Sequence, residues 1–462
     1  MGLRYVWGSP SHGGLARVAI LTIAGWAIAA GARGGEPDAA AGTPTFTRDI
    51  APILHRKCQG CHRPGQVGPF SLEKYEHARK RADDIAAVVE DRLMPPWKPA
   101  PGVGPKLKHD KSLTAGEIAR IRAWADAGAP LGDEAQMPAP PERTDDWQLG
   151  TPDLVLEPGE DFSIPATGPD TYRCFVIPTS LPDDVYISAI EFRPGNRRVV
   201  HHMSTFIDTR GAGRKRDKAE PGPGYTSFAG PGFPVSGELG FWNAGCEPTR
   251  LPEGVGIALP RGADVILQTH YHPSGKPETD RPRLGIYLAR GPIRQTLHWN
   301  DASNNMFHLP AGESDAEVKG SWYVLVDVEA LAVAPHMHTI GRDMRMSVTF
   351  PDGESRDLIH IPAWDPAWQS TYFFDQPVTI PKGSIVKVVA HYDNSDHPRN
   401  PNRPPKVVRA GYGVDDEMCI GYIAVVKKDQ DLTRPGSRDD LFEIFEKQRM
   451  GNIRRAIARR KR

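Results

Sequence analysis

Hydrophobic positions divide the chain into a helical stretch and a longer stretch of strands. Between residues 46 and 132, apolar positions recur every three or four residues in FTRDIAPILHRKC, SLEKYEHARKRADDIAAVVEDRL and LTAGEIARIRAWADAGAP, a spacing that predicts helices. The last helix has a start signal at Thr114 with Glu117 three residues on, and Gly128 and Pro130 indicate its end. We therefore expect a small all-α domain over residues 45–133, followed by a linker over residues 134–150.

The pattern changes to short alternating runs from about residue 151 to residue 428. Runs such as DVYISAIEF, ADVILQTHYH and SIVKVVAHYD are separated by turns rich in glycine and proline, of which the chain has 46 and 45. This spacing is typical of antiparallel β-sandwiches. The region is long for one sandwich, so we expect two, over residues 151–293 and 294–428. The charged tail, residues 429–462, is expected to be a solvated helix or disordered.

Charge and the first residues bear on partners and compartment. The 57 basic and 57 acidic residues balance, which removes the global basic footprint expected of a nucleic-acid-binding protein. Arg4 and Arg17 precede the apolar run VAILTIAGWAIAA, and Ala30-Gly31-Ala32 follows as a small-x-small pattern. This layout predicts a secretory signal over residues 1–32 with a tether to residue 44; an uncleaved anchor is the alternative. We expect a soluble periplasmic or secreted protein with no membrane span in its mature form.

Two of the five cysteines carry the first chemical motif. Cys58-Gln59-Gly60-Cys61-His62 has the spacing of a c-type haem attachment site, in which two thiols bond the haem vinyl groups and the adjacent histidine reaches the iron. A redox dithiol or half of a zinc site is the alternative, although no second cysteine pair exists to complete a zinc cluster. Met94, after a predicted helix and before two prolines, is the candidate for the opposite iron ligand, with core packing as its other role. The layout resembles class I cytochrome c, which implies one covalently bound haem c and one-electron transfer.

Six of the sixteen histidines form three close groups. These groups are His201/His202, His270/His272 and His336/His338. Since residues i and i+2 share one face of a strand, THYH and PHMH each present two imidazoles to one side. Histidines alone would also suit zinc. Met418, just before an apolar strand, offers a soft thioether that favours Cu(I), although core packing is the ordinary role of a single methionine.

Five short motifs together resemble the copper type II, ascorbate-dependent monooxygenases. VVHHM, TRLPEGVG, LQTHYH, HMHTIG and DEMCIGY occur in this order between residues 160 and 428. The resemblance implies two consecutive jelly-roll sandwiches with one copper ion each, facing one another across an open cleft.

The resemblance also implies which residues bind the two copper ions. His201, His202 and His270 match the electron-receiving site. His336, His338 and Met418 match the oxygen-activating site, with Tyr422 as a retained catalytic-site tyrosine. His272 has no counterpart in the pattern, so it is expected to be an outer contact of the site or a surface residue.

The implied reaction is hydroxylation of a C–H bond in a small organic substrate with dioxygen. The product needs two electrons, and each copper ion stores one. The haem domain is expected to supply them singly to the copper of His201, His202 and His270, replacing or supplementing an electron donor such as ascorbate or a redox protein. A non-catalytic copper-binding or electron-transfer protein is the alternative function.

Two departures from the family pattern concern the substrate. The position two residues before His336 holds an arginine in the peptide-hydroxylating members, which grips a substrate carboxylate, and here it is Ala334. A partner asparagine two residues after Met418 is replaced by Ile420. Losing a bidentate grip on a carboxylate argues against peptide substrates ending in glycine.

A third departure concerns the disulfides. The family bridges the cysteine after the methionine ligand within the second sandwich, but Cys419 has no other cysteine between residues 247 and 462. Cys419 is therefore expected to be a buried free thiol, whereas Cys174 and Cys246 both fall in the first sandwich and could pair.

The adjacent histidines His201 and His202 pose a geometric problem. Neighbouring residues of a regular strand point to opposite faces, so two adjacent histidines cannot both reach one metal ion from a flat strand. If both are ligands, residues 200–203 must leave regular β geometry through a bulge or a strand end.

Overall fold

The helical part of the chain occupies its N-terminal third. The computed structural model describes residues 42–142, 147–228, 230–243, 245–413 and 415–460, and side chains as far as residue 451. The predicted signal segment, residues 1–32, and the tether as far as residue 41 lie outside the described residues. The helical unit begins with a π-helical turn, Phe46–Ile50, and ends with a 3-10 turn, Glu134–Gln136. Its helices are α1 Ala51–Lys57, α2 Tyr75–Arg79, α3 Ala82–Glu90 and α4 Ala115–Asp126.

Helix α4 begins and ends where the sequence predicts. Thr114 accepts a hydrogen bond from the Glu117 backbone N–H, and the Glu117 carboxylate accepts from the Thr114 N–H at 2.9 Å, which completes a capping box. Its buried face, Ile121, Trp124 and Ala125, packs into a separate core with residues of α1 and α3. The unit therefore has an apolar core of its own.

The rest of the described chain consists mainly of strands. The first β unit contains β1 Leu154–Leu156, β2 Phe162–Ile164, β3 Thr171–Pro178, β4 Val185–Arg193, β5 Val200–Asp208, β6 Tyr225–Thr226, β7 Gly237–Asn243, β8 Val255–Leu259, β9 Asp264–Tyr271, β10 Glu278–Asp280 and β11 Arg283–Leu288, with one short helix, α5 Ala212–Asp217. The second β unit contains β12 Gln295–Asn304, β13 His308–Leu309, β14 Ala316–Tyr323, β15 Val328–His336, β16 Gly341–Thr349, β17 Ser355–Ile361, β18 Tyr372–Ile380, β19 Ile385–Tyr392, β20 Val408–Arg409 and β21 Cys419–Lys427. A last helix, α6, spans Leu441–Arg460.

The first β unit is a sandwich of two antiparallel layers. One sheet has the order β6-β3-β9-β5-β7, and the facing strands have the order β1-β11-β4-β8. The apolar side chains between them include Phe175, Ile187, Met203, Leu267 and Ile286. Burial alternates along much of β4 and β5, whereas every residue of β9 is buried.

The second β unit repeats this arrangement. One layer runs β14-β19-β16-β17, and the other runs β12-β21-β15-β18. Strand β12 pairs with β21 along most of its length and meets β14 only where Ser303 faces Ser321, so it closes one corner of the sandwich. The two-sandwich architecture expected from the alternating runs is consistent with these layers.

A continuous sheet and a shared core join the two β units. Strand β12 pairs in parallel with β8, where Gln295 faces Val255 and Thr296 faces Gly256. The core of the first unit also takes in Leu297, Ala332 and Ala424 from the second. The two β units therefore pack directly against each other and share part of their core.

Two segments pack where the sequence pattern gives no signal. Residues 97–108 leave the helical unit and lie along β18, with Leu107 bridging Phe374 and the Lys108 N–H donating to the Phe373 carbonyl at 2.8 Å. The tail is not simply solvated, because Leu441 and Phe445 of α6 are buried in the core of the second unit.

All five cysteines are free thiols. The pairing of Cys174 with Cys246 is not found, because Cys174 lies in a small buried cluster with Tyr225 whereas Cys246 lies beside Asn243 and Ser370. Cys419 is fully buried, as expected. Among the described residues, no helix combines the length and apolar character that crossing a membrane requires.

Candidate metal centres

Strand β5 carries a bulge at the adjacent histidines. Against β9, Val200 faces Tyr271 and His202 faces His270, so His201 is an extra residue with no partner in the ladder. An extra residue bends the strand and changes the direction of its side chains. The departure from regular β geometry predicted for residues 200–203 is confirmed.

The bulge brings three imidazoles together. His201 Nδ1 lies 3.0 Å from His270 Nδ1, which lies 3.3 Å from His202 Nδ1. One nitrogen from each ring fits within a group whose members are all within 4.8 Å of one another. Burial, followed by the neighbouring His270, lowers the pKa of His201 to about 4 and that of His202 well below its usual value. Both rings are therefore neutral near pH 7 and keep the lone pairs that a metal ion needs.

Asp170 holds the third histidine of this cluster. Its carboxylate oxygens lie 2.7 Å from His270 Nε2 and 2.7 Å from His272 Nδ1. Burial raises the pKa of Asp170, but the hydrogen bonds to the two histidines outweigh it and hold the pKa at about 2. An ionised Asp170 keeps a proton on His270 Nε2 and leaves Nδ1 as the ligand atom. His272 therefore contacts the cluster only through Asp170.

The second histidine pair presents the opposite ring nitrogens. His336 Nδ1 lies 2.6 Å from Gln369 Oε1, and His338 Nδ1 lies 2.9 Å from the Asp416 carbonyl oxygen. The Gln369 amide is oriented by its own N–H, which donates to the Pro366 carbonyl. Because both partners are acceptors, Nδ1 carries the proton on each ring and Nε2 keeps the lone pair.

Glu417 connects the His338 segment to Met418. Its buried carboxylate accepts from the His338 N–H at 2.7 Å and from the Ile340 N–H at 2.8 Å. Burial raises the pKa of Glu417 to about 8 against the opposing effect of its backbone hydrogen bonds. Ile420 faces His336 in the last pair of the ladder between β21 and β15, and Met418 lies two residues before Ile420. Met418 is 8% exposed.

The residues beside His336 on this and the neighbouring strands, here called the floor of this site, are Ala334, Ile420, Tyr422 and Asp301. Tyr422 faces Ala334 on one neighbouring strand and Asp301 on the other. The Tyr422 and His336 rings are 6.3 Å apart. Burial raises the pKa of Tyr422 far above its usual value, so the hydroxyl stays protonated.

The CxxCH motif follows α1. Cys58 terminates the helix, and His62 Nδ1 lies 3.2 Å from the Phe70 carbonyl oxygen. This contact fixes the proton on Nδ1 and leaves Nε2 for an iron atom, which fits a haem ligand. Burial raises the pKa of Cys58 to about 12, and it raises the pKa of Cys61 as well. Met94 is half-buried after α3, and its N–H donates to the Val88 carbonyl at 3.1 Å; its role stays a prediction.

Sequence reasoning missed the residues that orient the histidines. Asp170 and Gln369 lie 100 and 33 positions from the histidines they contact, so no local pattern connects them. Glu417 could have been found from the sequence. It adjoins an apolar strand and a candidate ligand, and a carboxylate that becomes buried there needs hydrogen-bond partners.

Comparisons with known proteins bear on the β region. Residues 322–432 match the family model described as copper type II ascorbate-dependent monooxygenase, C-terminal domain. A tyramine beta-hydroxylase of Caenorhabditis briggsae is 24% identical over 285 residues, which is 55% of this chain and 45% of that protein. The match thus spans less than half of the relative's length. These two findings support a copper-dependent monooxygenase.

Comparison with solved structures adds no argument. The crystal structure of the infectious bursal disease virus VP2 subviral particle covers 62% of this chain and 74% of its own, with 9% identity and a TM-score of 0.19. Dimeric latent PorU from Porphyromonas gingivalis covers 58% and 25%, with 9% identity and a TM-score of 0.14. Similarity at this level supports no statement about fold.

Proposed function

We propose that this chain is an exported haem–copper monooxygenase that hydroxylates a C–H bond of a small organic substrate with dioxygen. The observation that carries the proposal is the pair of histidine centres in the two β units. In one, three Nδ1 atoms converge. In the other, two rings are held through Nδ1 with Nε2 free, and Met418 lies two residues before Ile420, which pairs with His336. Only the second set includes a thioether, which matches the different tasks of the two sites in the family that the chain resembles.

The chain's own residues would hold each copper ion and set its surroundings. Copper bound by His336, His338 and Met418 would supply the chemistry that activates dioxygen. Gln369 and the Asp416 carbonyl hold the two rings, and Glu417 fixes the backbone that carries His338. Asp170 holds the ring of His270 in the electron-receiving site.

The floor of the second site limits the class of substrate. The side chains of Ala334 and Ile420 offer no hydrogen bond, so these two positions beside His336 provide no cationic grip for a carboxylate. The protonated Tyr422 hydroxyl and the Asp301 carboxylate are the polar groups of this floor. These features favour a small neutral or cationic molecule over a peptide carboxylate.

The helical unit would carry one covalently bound haem c. Cys58 and Cys61 would attach the haem, and His62, through Nε2, and Met94 would bind its iron. The haem supplies one-electron transfer, which suits a reaction that takes electrons singly. An ascorbate-like reductant or a redox protein would reduce it. The signal predicted over residues 1–32 would export the chain to the periplasm or the medium, where c-type haem attachment and copper loading would take place.

The deciding experiment combines metal analysis with oxygen uptake. We expect two copper ions and one haem iron per chain, and reductant-dependent oxygen uptake that falls to background in Met418→Leu. Leucine keeps the side-chain volume and removes the sulfur, so it isolates ligation from packing. Met344→Leu, a fully buried methionine in the same β unit, is the matched control and should keep full uptake.

The opposite results would point elsewhere. Zinc in place of copper would overturn the proposal. Two bound copper ions without oxygen uptake in the unaltered chain would favour the alternative, a copper-binding or electron-transfer protein. Full uptake in Met418→Leu would remove Met418 from the site.

A further inference from the structure

The haem motif and both histidine centres meet at the end of strand β7. The residues concerned are Asn243, Gly245, Cys246 and Glu247, here called the junction residues; Ala244 lies outside the described residues. They leave β7 of the first β unit and enter the space between that unit, the helical unit and β18 of the second. The proposed function does not use them.

On the side of the helical unit, the junction residues contact the haem motif and the segment before α4. A Cβ atom added to Gly245, whose φ is +87°, would lie 3.4 Å from Cys61 Sγ. Lys111 Nζ donates to the Gly245 carbonyl at 2.6 Å and lies 3.1 Å from the Glu247 carboxylate. His109 Nδ1 lies 3.1 Å from the other oxygen of Glu247. One carboxylate therefore holds two side chains of the helical unit close to the point where Cys61 lies beside Gly245 of the first β unit.

On the opposite side, the junction residues adjoin the three-histidine centre. Asn243 faces His202 across the ladder between β7 and β5. Asn243 is 4% exposed, so this connection is shielded from solvent. Gly245 thus lies beside Cys61, and Asn243 of the same segment pairs with His202, a proposed copper ligand.

The second histidine centre is reached less directly. The Asn243 side-chain oxygen accepts hydrogen bonds from the Cys246 thiol at 2.5 Å and from the Ser370 hydroxyl at 3.3 Å. Gln369, the residue before Ser370, accepts from His336. This connection crosses from one β unit to the other through side-chain hydrogen bonds, whereas Asn243 and His202 are paired within one sheet.

We propose that the junction residues form the electron-entry contact between the haem motif and the three-histidine centre, and that Glu247 is the positioning residue that keeps Cys61 against Gly245. This inference rests on the proposed function. A haem held by Cys58, Cys61 and His62 would give up one electron in each transfer, from Fe²⁺ to Fe³⁺, and a copper ion held by His201, His202 and His270 would take it up, from Cu²⁺ to Cu⁺. No bond forms or breaks, and an external small-molecule or protein reductant restores the haem.

Charge supports the role of Glu247. The hydrogen bond with His109 has the largest effect on the pKa of Glu247. Together with the charge of Lys111 it outweighs burial and lowers this pKa to about 2. The carboxylate is therefore ionised at neutral pH. An ion pair that is 41% exposed on the glutamate side contributes little to folding stability. Substituting Glu247 should accordingly leave the chain folded. It should change the position of the helical unit because it releases His109 and Lys111 from the first β unit.

The test measures electron transfer within the full haem- and copper-loaded chain, without dioxygen or substrate. The haem is reduced by a rapid pulse while copper is Cu²⁺, and its reoxidation is followed by absorbance. We expect Glu247→Gln to lose the fast phase of haem oxidation while haem and copper contents stay unchanged. Glu253→Gln, an exposed glutamate of the same β unit, should behave like the unaltered chain. Lys111→Gln removes the cationic partner of Glu247 and should also lose the fast phase of haem oxidation.

A second measurement does not depend on loaded metal. In the copper-free chain, backbone hydrogen exchange over residues 108–112 should become faster in Glu247→Gln and stay unchanged in Glu253→Gln. The proposed role of the junction residues would be overturned if Glu247→Gln and Lys111→Gln kept the fast phase of haem oxidation and had the same hydrogen-exchange rates as the Glu253→Gln control. Absence of haem, or of haem oxidation by copper in the unaltered chain, would overturn the proposed role of the haem domain, and the junction with it.

Discussion

Hydrogen bonds to one ring nitrogen decide which nitrogen of His270, His336 and His338 is free for a metal ion. In the first centre Asp170 takes His270 Nε2, so the convergent atoms are Nδ1. In the second centre oxygen acceptors take both Nδ1 atoms, so Nε2 remains. The two centres therefore differ in geometry before any metal binds, because different partners fix different tautomers.

The contribution of Asp170 can be measured directly. Asp170→Asn keeps an acceptor near His270 Nε2 but removes the negative charge, so we expect copper affinity at the three-histidine centre to fall by about 10–100-fold. A competitive Cu(I) titration of the copper-free chain measures this change. Asp161→Asn, an aspartate of the same β unit that pairs with Arg281 at the surface, is the control. Equal affinities in the two variants would contradict the role given to Asp170.

At the scale of elements, local pattern predicted structure wherever one face of a strand or helix is buried. Alternation located β4, β9 and β19, and the capping signal located α4. The bulge at His201 followed from two adjacent candidate ligands that had to reach one metal ion. Register against distant strands is not encoded locally, which is why Asp170 and Gln369 were missed. Residues 97–108 were missed for the same reason, since they follow no period and their partner is β18.

The sequence allowed a helix in the tail, but the burial of α6 was missed because charged residues obscure its apolar stripe. Leu441, Ile444 and Phe445 have helical spacing, and the Phe445 ring lies 5.6 Å from that of Trp322. Trp322 also donates to Gln448 at 3.1 Å, and Gln448 donates to the Tyr323 carbonyl at 2.7 Å. The helix therefore covers the end of the second β unit and contributes to its core.

The structural role of α6 predicts a contrast between two phenylalanines of one turn. Phe445 is 5% exposed and Phe442 is 37% exposed. Phe445→Ala should lower the free energy of unfolding by about 3–5 kcal/mol, because it leaves a cavity in the core. Phe442→Ala should cost much less. Denaturant unfolding of the two variants provides the comparison, and equal values would mean that α6 does not belong to the core.

At the scale of the whole molecule, the helical unit is fastened to both β units. Lys111 and His109 reach the first unit through the junction residues. Residues 97–108 run along the second, where the Ala100 N–H donates to the His360 carbonyl at 2.8 Å and the Asp375 N–H donates to the Lys106 carbonyl at 2.8 Å. The unit that would carry the haem thus meets the two units that would carry copper, and its position depends on both contacts.

Trp97 provides a test of this attachment. Its ring packs edge-on against Tyr372 at 5.3 Å, at the edge of the second core. Trp97→Ala should weaken docking of the helical unit by about 1–3 kcal/mol, a typical cost for losing a partly buried side chain. Because the helical unit has an apolar core of its own, we expect calorimetry of this variant to separate the unfolding of the helical unit from that of the β units. The unaltered chain should unfold in one transition. Leu93→Ala, 55% exposed in the preceding loop, should keep one transition. If Trp97→Ala also keeps one transition at the original temperature, Trp97 does not fasten the helical unit to the second β unit.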